Sequence, residues 1–180
     1  GAHVGTITHT AASSDGSYDG ISVDDVTVNI TDDDVAGVTI VESGGSTDVT
    51  EGGGGDSYTV VLDSEPTGVV TITFGTGTQV SGITAITFDA TSWDVAQTIN
   101  VSAVDDAVVE GAHAGTITHS ATSSDGNYDG ITIADVTVNI TDNDTAGVSV
   151  SPTTVNVTEG GAGDTYDVVL TSEPTGVVTI

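Results

Sequence analysis

The sequence contains no Lys, no Arg, no Cys and no Met. Without a basic side chain there is no patch to displace the counterions of nucleic acid or of an anionic membrane surface, so both are excluded as partners. Without Cys there are no disulfides, thiolate ligands or thiol redox chemistry. Aromatics are only 4% of the chain, with one Trp and two Phe. Such a chain does not build an aromatic-lined substrate pocket. No apolar run approaches the ~20 residues that span a bilayer, so membrane insertion is not expected. Gly1 begins no signal peptide, and any targeting information is expected outside these residues.

What remains is acidic and β-branched. The 180 residues carry 27 Asp plus Glu and a formal net charge of −27, with 24 Gly and 36% hydrophobic residues. A chain this negative repels itself and needs salt or cations to stay compact. Acidity alone is compatible with disorder, but the Val and Ile recur in regular alternation, which disordered chains lack. A core of Val, Ile, Ala and Thr methyls favours strands and tight turns over helices.

Residues 1–38, GAHVGTITHTAASSDGSYDGISVDDVTVNITDDDVAGV, return at 111–148 as GAHAGTITHSATSSDGNYDGITIADVTVNITDNDTAGV, an offset of 110. SEPTGVVTI at 64–72 returns at 172–180, an offset of 108. Repetition this close predicts tandem domains of about 110 residues. The expected frame is the C-terminal part of one repeat at 1–35, a complete repeat at 36–144 and the N-terminal part of the next at 145–180. The sequence is therefore expected to be a window of a longer multi-repeat chain. In the complete repeat, alternating runs predict strands at 37–41, 58–62, 69–74, 85–88, 98–104, 115–121 and 136–140. The fold class expected is all-β, an immunoglobulin-like antiparallel sandwich in tandem copies.

Counting strand reversals sorts the loops to two ends. VTEGGGGDS (49–57), GTGTQVSG (75–82), AVDDAVVEGAH (103–113) and TDND (141–144) fall at one end. DSEPTG, DATSWD and SSDGNYDG fall at the other, where Asp125 and Asp129 are either turn residues or contributors to a junction. The first set gathers Glu51, Asp105, Asp106, Glu110, Asp142 and Asp144. Two like charges a few ångströms apart repel by about 1 kcal/mol even in bulk water. With no basic side chain available, the expected counter-ion is a hard cation, Ca²⁺ before Mg²⁺. TDDDVAGV presents the same question at Asp32, Asp33 and Asp34.

TDDDVAGV, AVDDAVVEG and VTEGG together resemble the Calx-beta repeat found in the sodium–calcium exchanger's regulatory loop, in integrin beta-4 and in large bacterial surface proteins. The resemblance implies calcium-ligating roles for Glu51, Asp105, Asp106, Glu110, Asp142 and Asp144. In the partial repeats it implies the same for Asp32, Asp33, Asp34 and Glu159. Two positions depart from the family: GTGTQVSG carries no acid, and His113 and His3 stand at an acidic position. Fewer ions are therefore expected than in the most acidic members. His113 reads as a loop filler, because hard calcium disfavours imidazole. His119 and His9 read as hydrogen-bonded residues at the core edge.

Nothing supports catalysis: there is no GxSxG, HExxH or Walker loop, and no Lys, Arg or Cys. TDNDTAG also fails as an EF-hand, since its fifth position is Ala146 and its twelfth Thr153. The function expected is a calcium-binding structural repeat of an extracellular or cell-surface filament or adhesin, its partners being neighbouring repeats and any cell-surface or matrix ligand unidentified. A regulatory calcium sensor and a ligand-binding adhesin module are the alternatives.

Overall fold

The computed structural model describes residues 1–180 and divides into two compact units, Gly1–Val35 and Ala36–Ile180. The first is a hairpin of β1 (His3–Ile7) and β2 (Val26–Ile30), with His3 opposite Ile30 and Ile7 opposite Val26.

The second unit holds the core. Its first nine strands are β3 (Val38–Glu42), β4 (Thr47–Thr50), β5 (Asp56–Leu62), β6 (Val70–Gly75), β7 (Val80–Ser81), β8 (Ile86–Phe88), β9 (Gln97–Ala103), β10 (His113–Ser123) and β11 (Val136–Thr141). They form two sheets, ordered β4-β11-β10-β6-β8 and β3-β5-β9-β7. Alternation with period two decides what faces inward. Tyr58, Val60 and Leu62 of β5, with Ile99 and Val101 of β9, are buried in one cluster. Val70, Ile72, Ile117, Val136, Val138 and Ile140 of the other sheet join them. One apolar layer thus lies between two sheets, the arrangement of a β-sandwich.

Two departures from the expected strands matter for the site. The sequence pattern predicts no strand between 41 and 58 and an antiparallel sandwich. Instead a short turn, Ser43–Gly45, passes the chain from one sheet to the other, and β4 pairs with β11 in parallel. Gly44 (φ 70°) and Gly45 (φ 92°) permit that step, in a region that side chains with a Cβ rarely enter. The second departure lies inside GTGTQVSG, where Val80 and Ser81 pair with Ala103 and Ser102.

After β11 come β12 (Val148–Ser151) and β13 (Asp167–Leu170), paired with Val148 opposite Leu170, as Val38 is opposite Leu62 in β3 and β5. At the end of the sandwich away from TDND, Tyr128 donates its hydroxyl to the Ser64 carbonyl at 2.6 Å and accepts from the Ser64 amide at 3.1 Å. Asp125, weighed as a junction acid, is instead buried and accepts from the amides of Thr67 (2.8 Å) and Asn127 (2.9 Å). Those bonds hold its carboxyl below the usual range, so it serves the turn. No helix is long and apolar enough to cross a membrane.

Candidate metal centre

Glu51 comes directly after β4. Its amide donates to the Thr141 carbonyl at 3.0 Å, closing the parallel ladder at the Thr50–Thr141 pair. Its side chain lies among donors of the loops after β9 and β11, Asp106, Glu110 and Asp144. The residue is 1% exposed, and neither carboxylate oxygen has a hydrogen-bond partner. Burial, reinforced by the nearby Asp142 and Asp106, raises its pKa above the ordinary glutamate value, with His113 acting in the opposite direction.

Two compact donor groups share this side chain. In the first, oxygens of Glu51, Asp106 and Asp144 all lie within 4.8 Å of one another. One oxygen of Asp144, Oδ2, is also buried without a partner, and desolvation followed by repulsion from Asp142, Asp105 and Asp106 raises the Asp144 pKa. In the second, Glu51, Glu110 and His113 lie within the same limit.

The remaining acids of this end position the donors. Asp142 accepts from the amides of Gly111 (2.7 Å), Glu110 (2.8 Å) and Asp144 (2.8 Å), which lowers its pKa and fixes one loop against the other. Asp105 accepts from the Asn143 side chain at 3.1 Å, and the same Asn143 nitrogen donates to the Glu51 carbonyl at 2.9 Å. Gly52 leaves room for this bridge. Its φ is 60°, and a Cβ there would stand 2.8 Å from Asn143 Nδ2. Gln79 donates to both oxygens of Glu110 at 3.1 Å.

Neither Gln79 nor Asn143 stood among the candidates read from the sequence, because neutral amides carry no charge signal. Their loops were nonetheless assigned to this end.

Elsewhere, Asp32, Asp33 and Asp34 form a third group within 4.8 Å. Glu159 is exposed and joins none of these groups. His119, expected at the core edge, is buried with its Nε2 2.9 Å from the Tyr58 hydroxyl, and burial lowers its pKa.

The first donor group fits a hard cation. A buried carboxylate with both oxygens unpartnered is costly unless a charge compensates it, and the other two members of this group, Asp106 and Asp144, also offer oxygen. No protein-family model and no curated protein matches the chain. Among solved structures it is similar to the apo-form Calx CBD1 domain, with 22% identity, TM-score 0.41, and coverage of 59% of this chain and 98% of that one. It is also similar to the calcium binding domain CBD12 of CALX1.1, with 22% identity and TM-score 0.39. There it covers 58% of this chain and less than half, 44%, of that one.

Proposed function

We propose that this chain is a calcium-binding module whose ion is held by Glu51, Asp106 and Asp144, with Asp105, Asp142 and Asn143 setting the loops around it. The observation that carries the reading is the Glu51 carboxylate, sealed from solvent with no hydrogen-bond donor on either oxygen. Calcium would supply the missing positive charge and satisfy those lone pairs. It suits several carboxylates on adaptable loops, whereas magnesium keeps more of its own water. Calorimetry of calcium into the metal-free chain tests the proposal. Saturable binding is the expected result. No heat and no binding at millimolar calcium, with the far-UV spectrum of a folded β protein, would overturn it.

In this reading the module works as a structural repeat of an extracellular or surface filament or adhesin, with calcium stiffening the joins between successive repeats. Its partners are neighbouring copies of itself. One contact supports the idea. The Glu173 amide donates to the Ala107 carbonyl at 2.6 Å, and Val108 pairs with Glu173 in a parallel bridge. The loop bearing Asp105, Asp106 and Glu110 is therefore tied directly to the SEPTG turn at 172–176, so ordering that loop also orders the turn.

A further inference from the structure

We infer that Glu51, Glu110 and His113 form a second metal subsite, distinct in chemistry from the oxygen-only group, that takes a borderline first-row divalent cation such as Zn²⁺. It stands beside the calcium reading and shares only Glu51 with it.

The imidazole is oriented as a ligand. His113 Nδ1 lies 2.9 Å from the Gly111 carbonyl. A carbonyl only accepts, so Nδ1 carries the proton, and in the neutral ring Nε2 presents a lone pair. Metal-bound histidines are commonly held this way, with the other ring nitrogen donating to a backbone carbonyl. Nε2 is buried and has no hydrogen-bond partner. It faces Glu110 Oε2 at 3.4 Å and Glu51 Oε1 at 3.7 Å. Both separations exceed the usual 2.7–3.2 Å range of an N–H···O bond, so the ring is not engaged with either carboxylate through a proton.

The spacing also admits such an ion. A tetrahedral zinc with ligand bonds of ~2.1 Å places its donors roughly 3.4 Å apart. The His113 to carboxylate distances fall at or just above that edge. Calcium takes six to eight oxygens and gains little from imidazole, so it is the nitrogen donor rather than the spacing that favours the borderline ion. Gln79 restrains the third donor by donating to both Glu110 oxygens at 3.1 Å. Glu51, more than nine-tenths buried and unpartnered on both oxygens, is the donor the two groups share, while the unpartnered Nε2 of His113 belongs to this one alone. Three protein donors leave the fourth tetrahedral position to water.

The test uses the full chain stripped of metal. Zn²⁺ alone is titrated by calorimetry, and Co²⁺ replaces it as a spectroscopic probe. The expected result is one site whose cobalt complex shows the intense visible absorption of four-coordinate cobalt. His113→Gln should weaken Zn²⁺ binding at least tenfold and abolish that band, while calcium binding changes by no more than a few-fold. His113→Asp serves as the second variant, restoring an all-oxygen set, and should also lose the cobalt band. Retention of tight Zn²⁺ binding by His113→Gln would overturn the subsite, as would a six-coordinate cobalt spectrum in the wild type. Loss of calcium binding with zinc binding intact would count against the calcium reading alone.

Discussion

Replacing Glu51 by Gln separates the cost of its charge from the benefit of its ligand. Gln keeps the shape of the side chain and removes the buried negative charge, which has no protein partner. In chelator, Glu51→Gln should therefore melt no lower than the wild type and is expected to melt higher. In calcium the order should reverse. One ion present at a hundredfold excess over its dissociation constant stabilises the folded state by about 2.7 kcal/mol. For a chain of this size each kcal/mol moves the midpoint by ~2–4 °C, so the wild type should gain roughly 5–11 °C on adding calcium. Glu51→Gln should lose most of that increment. Thermal melts followed by circular dichroism, each protein with chelator and with calcium, give the four midpoints needed. The reasoning fails if Glu51→Gln keeps the full calcium increment, or if it melts well below the wild type in chelator.

The raised pKa values of Glu51 and Asp144 predict a pH dependence in the absence of metal. In the window between the unfolded carboxylate values, about 4, and the raised folded values, the native state binds more protons than the unfolded state, so stability falls as pH rises. Denaturant midpoints measured in chelator from pH 4.5 to 7 should decline, and the decline should be shallower in Glu51→Gln; equal slopes would refute the assignment. Asp125 and Asp142, whose values are lowered, act oppositely and only below the ordinary aspartate value of 3.8. If calcium stiffens the joins, a chain of several concatenated repeats should show a longer maximum dimension and less flexibility in calcium by small-angle scattering. Identical profiles with and without chelator would leave the repeats as passive acidic spacers.

The strand faces were legible because alternation depends only on residue order: Val136, Val138 and Ile140 read as one face and are buried together. Those faces fix the reversals, and with them the loops that carry Glu51, Asp106, Glu110 and Asp144. The crossing at Ser43–Gly45 was not legible, because TDVTEGG has too few apolar residues to mark a strand. Its pairing comes from β11 rather than from its own composition. Nor did residue type reveal how the acids divide their work. Asp142 and Asp144 belong to one TDND run, yet Asp142 meets three amide protons while Asp144 Oδ2 meets none. Only the direction of neighbouring N–H groups sets that difference.

The parallel pairing of β4 with β11 gives residues 36–144 a particular response to force. β4 lies near the start of this stretch and β11 at its end, and both run the same way, from Thr47 opposite Val138 to Thr50 opposite Thr141. Tension along the chain pulls β4 backward and β11 forward, so the two strands are loaded in shear. Their hydrogen bonds, with the Asn139 side chain donating to Asp48 at 2.8 Å, share the load together instead of opening one by one like a zipper. Glu51 and Asp144 sit just past the shared ends of these strands, where a common cation would rivet the sliding pair.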